Sequence, residues 1–332
     1  MNLGILFGGN SREHEISIVS AYQIKNKLKY EYNIHMIYID FDNTVYIADK
    51  MSLDDFKYNN YKKMKETRFI RGGVKGVNID VIILSGHGEN SEDGLFAGVM
   101  KFYNIIYIGC NMLSGSICID KYVTYNYLSN NDIKMIDSYI YTYNDYINGI
   151  ELKEYPVILK PLYGGSSIGI YIIKDKEEKN KLNLAFKDSD KLLVQKYYDN
   201  IIEYNLALDD IGYSKLERIV KKDDIFSFDN KYNESFKQFH QAIGEDILYD
   251  EFKIVARRVY ELLKCSGIIR IDFFLIDGII YVNEVNTTPG ALSMYLYDDF
   301  PNVIRRLINK KLLEKHIIYE KGNFLLSNNI NK

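Results

Sequence analysis

Residues 269–290 read IRIDFFLIDGIIYVNEVNTTPG, and this stretch decides the fold prediction. Two apolar runs flank Asp277-Gly278, a dipeptide that tolerates the positive φ angles of a two-residue hairpin turn. Asp272 lies five residues before this dipeptide and Glu284 six residues after it. Pairing of the two runs would bring the carboxylates side by side, so we predict a β-hairpin with an acidic pair on one face.

The acidic pair favours a binding site for a divalent metal ion. Neighbouring carboxylates on a rigid sheet repel each other unless a cation lies between them. Asn286 lies two residues beyond Glu284, hence on the same face, and adds a neutral oxygen. Hard oxygen ligands suit Mg²⁺, and Arg270, which shares a face with Asp272, would hold an anion beside the metal. The alternative is a solvated hairpin whose charges bind nothing.

The composition indicates a multidomain protein that acts on a small ligand. A chain of 332 residues is too long for one ordinary core, so two or three domains are expected. With 42 basic and 45 acidic residues and no basic block, neither nucleic acid nor a membrane surface is an expected partner. No membrane span or signal peptide is recognisable, which predicts a cytoplasmic protein. Cys110, Cys118 and Cys265 lack zinc-ligand spacing and are predicted to be buried free thiols.

The N-terminal third is typical of an α/β layer. Residues 2–7, followed by Gly8-Gly9-Asn10-Ser11, predict a strand, a glycine turn and a helix to about Tyr30. Further strands are predicted at residues 33–40 and 78–84, and helices at residues 93–102 and 120–130. His87 follows the strand at 78–84, where parallel sheets bind ligands. It is therefore either a site residue or a hydrogen-bonded structural histidine.

A glycine-rich hairpin follows near the middle of the chain. Residues 156–160 and 168–173 predict strands, joined by the loop PLYGGSS at 161–167. No Lys-Ser/Thr pair or helix follows the glycines, so the loop is not a Walker motif. Backbone amides freed by Gly164 and Gly165 would instead fold over phosphate groups as a lid, with Lys160 as the countercharge.

The second half alternates regular elements with one irregular segment. Strands are predicted at residues 192–198 and 203–208, and helices at residues 250–264 and 301–316. Residues 214–241 are polar and aromatic without clear periodicity. A long irregular stretch inside a compact domain is most often functional, so we predict an active-site flap there.

Taken together and in this order, the motifs resemble those of the ATP-grasp enzymes, and among them the D-alanine–D-alanine ligase family. The resemblance covers about residues 3–315. The motifs that carry it are GGNSREHEIS at 8–17, HG at 87–88, EDG at 92–94, DK at 120–121, KP at 160–161, GSS at 165–167, KY at 231–232, RID at 270–272 and EVNTTPG at 284–290.

The resemblance implies an α/β chain with the ATP-grasp fold preceded by an N-terminal α/β domain. The implied division is a substrate-binding domain at 1–119, a lid domain at 120–195, a C-terminal domain with the metal site at 196–318, and a polar tail at 319–332. It also implies ATP and Mg²⁺, with Mn²⁺ as a substitute, as cofactors. Small amino acids are the implied partners, and a homodimer is the implied assembly.

Site residues follow from the resemblance position by position. The ATP phosphates would be contacted by Lys121, Lys160 and the lid residues Gly165, Ser166 and Ser167. The adenosine would be bound by Gln195, Lys196, Tyr198 and, at the ribose, Glu203. The metal ligands would be Asp272, Glu284 and Asn286. Gln195 departs from the glutamate usual in the family, but its amide oxygen can still accept from the adenine amino group.

The implied reaction is ATP-dependent ligation of a carboxylate to an amine through an acyl phosphate, giving the D-alanyl-D-alanine dipeptide of peptidoglycan precursors. Arg270 would steady the reacting carboxylate and the transition state. Glu13, Ser166 and Tyr232 would hold the flap over the first amino acid, with Glu13 on its ammonium group and His87 nearby.

The acceptor pocket departs from the family pattern. After Pro289-Gly290 a typical ligase continues to a serine that binds the carboxylate of the second amino acid, and Tyr295 stands in that place. The phenol would donate one hydrogen bond to that carboxylate and reshape the pocket.

Two other functions remain open. One is an ATP-grasp amide ligase of another biosynthetic pathway, with a different amino acid or peptide as acceptor. The other is an ATP-binding regulatory protein without ligase activity. The presence of Arg270 and the three metal ligands argues against the latter, because a simple nucleotide binder has no need of them.

Overall fold

The structure, a computed structural model, describes residues 1–164, 169–199, 201–219, 241–243 and 247–314. Its strands are β1 Asn2–Gly8, β2 Asn33–Ile39, β3 Val45–Ile47, β4 Lys65–Thr67, β5 Phe69–Ile70, β6 Gly73–Val74, β7 Val81–Leu84, β8 Tyr107–Ile108, β9 Ser138–Thr142, β10 Val157–Pro161, β11 Tyr171–Ile173, β12 Lys191–Lys196, β13 Ile202–Leu208, β14 Tyr213–Ile219, β15 Gln241–Ile243, β16 Ile269–Ile276 and β17 Ile279–Asn286. Its helices are α1 His14–Leu28, α2 Leu53–Lys57, α3 Leu95–Phe102, α4 Met112–Cys118, α5 Lys121–Ser129, α6 Tyr143–Ile147, α7 Lys179–Asp188, α8 Ile247–Leu262 and α9 Phe300–Leu313, with 3₁₀ segments at Tyr61–Lys63 and Gly290–Leu296.

Three large sheets follow one another along the chain. The first has the order β4-β3-β2-β1-β7-β8, and β1 pairs in parallel with both β2 and β7. The second, β11-β10-β12-β9, and the third, β15-β14-β13-β16-β17, are antiparallel. Parallel strands need long crossovers, which the helices of the first third supply. The prediction of a mixed α/β fold is confirmed.

Hydrophobic clusters join segments that are far apart in the chain. Phe7 of β1 and Leu28 of α1 belong to the same buried cluster as Phe300 and Ile304 of α9. Leu128 of α5 is buried with Phe252 of α8 and with residues of β16 and β17. As a result, α1 is held near the segment that follows β17, and α5 is held against β16 and β17.

The three cysteines are buried and free, as predicted. The prediction of an irregular segment from residue 214 is wrong at its beginning, because Tyr213–Ile219 forms β14; residues 220–240 lie outside the described part of the chain. Within the described residues, no helix is long and apolar enough to cross a bilayer.

Candidate functional site

The predicted hairpin is present, and it contains a bulge that the sequence did not reveal. Asp277 and Gly278 both have positive φ, 49° and 75°, as a type I′ turn requires. Asp272 pairs with Glu284, whereas Phe273 pairs with Val282, so Asn283 is an extra residue in β17. Val282 and Val285 are buried in the core, and the bulge turns both intervening side chains towards the opposite, site-facing side of the sheet.

Each carboxylate of the acidic pair is held by a cation. Arg270 donates from Nε and Nη2 to the two oxygens of Asp272, over 2.6 and 2.9 Å. Lys121 Nζ lies 3.2 Å from Glu284 Oε1. Burial lowers the pKa of Arg270, but the ion pair with Asp272 outweighs it and raises that pKa above the ordinary value. The charges of the pair are therefore compensated while they lie side by side.

The donor set at the acidic pair fits a hard divalent cation. Asn286 pairs with Arg270 across the hairpin and places an amide next to the two carboxylates; its Nδ2 has no hydrogen-bond partner among the described residues. In the described ranges no group of three or more His, Cys, Asp or Glu side chains is arranged as a metal site, so a metal here would depend on this amide. Carboxylate and amide oxygens on a rigid sheet suit Mg²⁺ or Mn²⁺.

Two lysines from different elements point at this face. Lys160, near the end of β10, is 8% exposed, and its Nζ donates to Asn283 Oδ1 over 3.0 Å. Lys121 is the first residue of α5, whose N-terminus is capped by Asp120, and its Nζ donates to the carbonyl of Gly164 in the glycine-rich loop. The two ammonium groups thus lie on either side of the position where Glu284 emerges from the bulge.

A cleft lies between the second and third sheets. It is lined by Lys121, Lys160, Gln195, Asn283 and Glu284 among others. Gln195 is buried and donates from Nε2 to Ser138 Oγ over 2.9 Å, whereas its Oε1 accepts no hydrogen bond from the part of the chain described. An uncommitted buried acceptor costs free energy unless a ligand satisfies it.

A small apolar surface lies beside the cleft, on the face of β16 that carries Asp272, and Lys160 Nζ lies 5.8 Å from the centre of the Phe274 ring there. Phe274 and Ile276 form a cluster there with Ile136, and the ring of Tyr198 packs against it. Glu203 pairs with Phe274 across β13 and β16. The side chain of Lys196, by contrast, lies over the ring of Tyr198 at 5.3 Å and is not among the groups that line the cleft.

A second polar region lies where α1 meets the loop after β7. His87 is 4% exposed; its Nε2 is 2.8 Å from Ser20 Oγ, and its Nδ1 is 3.8 Å from Glu92 Oε1. Glu13 immediately precedes α1, and its carboxylate lies against Gly88. Gly88 has a φ of 69°, and a Cβ there would come within 2.2 Å of Ser11 Oγ, so this contact requires glycine.

The segment Gly290–Leu296, which we call the post-hairpin segment, adopts a left-handed turn. Ala291, Leu292 and Ser293 have φ values of 45°, 54° and 51°. The backbone N–H of Ala291 donates to Ser20 Oγ over 3.2 Å, so one hydroxyl contacts both His87 and this turn. Ser293 is fully buried, and its Oγ has no partner within the described ranges.

Tyr295 forms a hydrogen bond with a side chain of the neighbouring strand β14. Its hydroxyl donates to Glu217 Oε2 over 3.0 Å, although the residue is 56% exposed. Burial of the hydroxyl raises its pKa, the charge of Arg270 lowers it, and Glu217 raises it further, so the pKa lies above its ordinary value. The assignment of this phenol to the carboxylate of the second amino acid stays a prediction.

The structure brings Lys121, Arg270, Asp272, Glu284 and Asn286 together, and the roles assigned to the predicted site residues stay predictions. The predicted residues Gly165, Ser166, Ser167 and Tyr232 lie outside the described residues. Sequence reasoning missed Asn283, Glu217, Ser20 and Ser293. The unequal spacing of Asp272 and Glu284 from the turn was a signal for the bulge at Asn283, whereas the contacts of the other three depend on long-range packing.

Comparisons with known proteins cover nearly the whole chain. The family description "D-ala D-ala ligase N-terminus" matches residues 2–110, and "D-ala D-ala ligase C-terminus" matches residues 123–306. The D-alanine–D-alanine ligase of Thermosipho africanus is 37% identical over 345 residues, covering 93% of this chain and 92% of the relative. That of Campylobacter lari is 36% identical over 337 residues, covering 96% and 95%.

Solved structures give the same result. The D-alanine–D-alanine ligase from Helicobacter pylori superposes with a TM-score of 0.77 at 29% identity, covering 93% of this chain and 98% of that one. The enzyme from Coxiella burnetii, at 23% identity and a TM-score of 0.78 over 94% of each chain, shows the shared fold.

Proposed function

The chain belongs to the D-alanine–D-alanine ligase family, and from this premise we propose that it joins two D-alanine molecules in a Mg²⁺-dependent reaction that supplies peptidoglycan precursors. Membership makes it an ATP-dependent carbon–nitrogen ligase with the ATP-grasp fold. The proposal extends to a cytoplasmic location, a homodimer and the three-domain division at residues 119, 195 and 318.

The convergence of Asp272, Glu284 and Asn286 with Lys121 and Lys160 carries this proposal. The three side chains would hold the cation, which supplies positive charge to the ATP phosphates when bound. The two lysines lie where they would contact the same phosphates. A carboxylate is a poor electrophile, so ATP must first convert it to an acyl phosphate, and concentrated positive charge stabilises that phosphoryl transfer.

The nucleotide would lie along the cleft between the second and third sheets. Gln195 Oε1, which accepts no hydrogen bond from the described residues, would accept from the adenine amino group. The apolar face of Phe274 and Ile276 would contact the base, and Glu203 would bind the ribose. Lys196 and Tyr198 would form the edge of this pocket, with Lys196 contributing through its backbone because its side chain points elsewhere.

The first amino acid would bind between Glu13, His87 and Arg270. Glu13 would accept from its ammonium group, and Arg270 would steady its carboxylate as the acyl phosphate forms. The lid residues Gly165, Ser166 and Ser167, together with Tyr232 from the flap, would close over this site and exclude water, which protects the acyl phosphate from hydrolysis. Gly290 and Tyr295 would face the second amino acid.

The decisive experiment incubates the purified protein with ATP, Mg²⁺ and single amino acids, and follows phosphate release and new amide products by mass. Phosphate release with D-alanine, together with formation of the dipeptide, is the expected result. Omission of Mg²⁺ should abolish both signals. Absence of amino-acid-stimulated turnover across a broad panel would overturn the proposal.

A second candidate is an amide ligase with the same chemistry and a different acceptor. The contact of Tyr295 with Glu217 favours it, because a phenol held in this position is much bulkier than the serine of the typical acceptor pocket and would reshape that pocket. In the same assay, an amide product other than the D-alanine dipeptide would select this candidate.

A further inference from the structure

Ser20, on α1, contacts residues of the sites proposed for both amino acids, and we propose that its single hydroxyl positions the two sites together. The inference rests on the proposed function, which assigns His87 to the first amino acid and Gly290 to the second. Ser20 acts on the substrates through these neighbours, so its role is that of a positioning residue.

The Ser20 hydroxyl has two partners within the described ranges, and they come from distant parts of the chain. Its Oγ lies 2.8 Å from Nε2 of His87, in the loop after β7, and accepts from the backbone N–H of Ala291 over 3.2 Å. Ser20 and His87 are both buried. A second hydroxyl joins the same two regions, because Thr287 Oγ1 donates to the carbonyl of Glu92 over 3.1 Å. Side-chain hydroxyls therefore hold the loop after β7 against the chain that leaves β17.

The hydrogen of the Ser20 hydroxyl determines which nitrogen of His87 is protonated. A backbone N–H can only donate, so the Ser20 oxygen is an acceptor towards Ala291 and its own hydrogen is still to be placed. In the part of the chain that the structure describes, the acceptor within reach is His87 Nε2. Nε2 then carries no hydrogen, and the ring is neutral with its hydrogen on Nδ1, which lies 3.8 Å from Glu92 Oε1.

The opposite arrangement of hydrogens is unfavourable on two counts. If His87 donated from Nε2, the Ser20 hydrogen would lack an acceptor among the described residues, and an unsatisfied buried donor costs free energy. In a neutral ring, the lone pair of Nδ1 would also face the Glu92 carboxylate. A neutral His87 suits the first amino acid, because an imidazolium would repel the ammonium group that Glu13 is proposed to bind.

The same hydroxyl holds the peptide unit between Gly290 and Ala291. Because a peptide unit is planar, the hydrogen bond from the N–H of Ala291 also sets the direction of the Gly290 carbonyl. Ala291 has a φ of 45°, in the left-handed region that residues with a Cβ seldom adopt. Loss of the bond to Ser20 would therefore let this turn relax and move Gly290, on the side proposed for the second amino acid.

The test measures the two amino-acid sites separately in Ser20→Ala, which removes the hydroxyl and keeps the Cβ. Excess hydroxylamine traps the acyl phosphate as a hydroxamate, so the hydroxamate rate reports the first amino acid, whereas dipeptide formation also requires the second. We expect both KM values for D-alanine, one for each site, to rise about fivefold, the size expected for a lost hydrogen bond between neutral groups. The KM for ATP should stay within about twofold.

Ser114→Ala is the matched control. Ser114 is fully buried, and its hydroxyl contacts the carbonyls of Leu263 and Lys264 over 2.8 and 2.9 Å. Its removal should lower the melting temperature about as much as Ser20→Ala does, because each variant loses one buried hydroxyl. Both KM values for D-alanine should remain unchanged in Ser114→Ala, which separates positioning from stability.

The tautomer of His87 is a second readout, one that a purely structural role of Ser20 would not move. In ¹⁵N NMR spectra of the unmodified protein, Nδ1 of His87 should carry the hydrogen and Nε2 should carry none. In Ser20→Ala the population with a hydrogen on Nε2 should increase, because Nε2 no longer accepts from a hydroxyl.

The outcomes keep the two proposals apart. If the unmodified protein forms no hydroxamate with ATP, Mg²⁺ and any amino acid, the proposed function fails. If hydroxamate forms but Ser20→Ala leaves either KM for D-alanine within twofold of its original value, the shared role of Ser20 is overturned while ligase activity stands. An equal rise in the KM for ATP overturns it as well. Should Ser20→Ala fail to fold, as judged by circular dichroism, the spectrum of the unmodified protein decides, and a hydrogen on Nε2 overturns the inference.

Discussion

The hairpin β16–β17 and the post-hairpin segment are separated by three residues, yet they obey different rules. In the hairpin, the turn at Asp277-Gly278 and the apolar alternation of both strands set the pairing locally. In the post-hairpin segment, three consecutive non-glycine residues occupy the left-handed region, which no local preference favours.

Tertiary contacts account for the second conformation. Ala291 and Leu292 are buried in the same cluster as α1 and α9, and the N–H of Ala291 reaches Ser20, far away in the chain. Strain of this kind persists when surrounding packing overdetermines the backbone, and it concentrates near functional sites. Local signals thus determine the conformation of the hairpin, whereas long-range packing determines that of the post-hairpin segment.

The largest expected effect comes from the hairpin. Glu284→Gln removes one negative charge from the metal set without changing the size of the side chain. We expect kcat to fall at least about 10³-fold, because charge stabilisation at the phosphoryl group would be lost, while the melting temperature changes little. Initial rates of phosphate release, together with thermal unfolding, measure both quantities.

Glu251→Gln, on the exposed side of α8, is the control for this substitution and should be indistinguishable from the unmodified protein. Near-normal turnover in Glu284→Gln would refute the metal assignment.

The bulge provides the next test of the hairpin. Asn283→Ala removes one hydrogen-bond acceptor of the buried Lys160 Nζ. Hydrogen bonds to charged groups contribute about 1.5–3 kcal/mol, so kcat/KM for ATP should fall about tenfold or more, with little change in the KM for the amino acids. Asn144→Ala, at an exposed position, should have no effect. If both variants lose kcat/KM for ATP to the same extent, the bulge does not orient Lys160.

The sequence was informative wherever a local cause was sufficient. It predicted the hairpin, the cross-strand position of Asp272 and Glu284, and the buried cysteines. It failed at β14, because Ser214 and Arg218 share the face of the buried Leu216, so the segment lacks the apolar alternation that would reveal a strand. The contacts of Ser20 with His87 and Ala291 join distant parts of the chain, which no local pattern encodes. The roles assigned to Gly165, Ser166, Ser167 and Tyr232 stay predictions.

A smaller effect is expected in the post-hairpin segment. Tyr295→Ser removes the ring as well as the hydrogen bond to Glu217, and so enlarges the acceptor pocket. We expect the ratio of kcat/KM between a bulkier D-amino acid and D-alanine as acceptors to rise about fivefold, since contacts in such pockets discriminate by modest factors. Tyr30→Ser, at a highly exposed position, is the control. If the acceptor preference is unchanged, Tyr295 is not a specificity residue.

The smallest effect tests the origin of the left-handed turn. Ala291→Gly relieves about 1–2 kcal/mol of backbone strain, but it removes a buried methyl group worth about 0.8 kcal/mol and adds about 0.5–1 kcal/mol of chain entropy to be lost on folding. These contributions nearly cancel, so the free energy of unfolding should stay within about 0.5 kcal/mol of the original value. Ala256→Gly, at a buried position within α8, relieves no backbone strain, so we expect it to lower the free energy of unfolding by about 2 kcal/mol. Chemical denaturation of both variants measures the difference. If Ala291→Gly is destabilised as much as Ala256→Gly, the turn is not strained, and packing does not impose its conformation against a local preference.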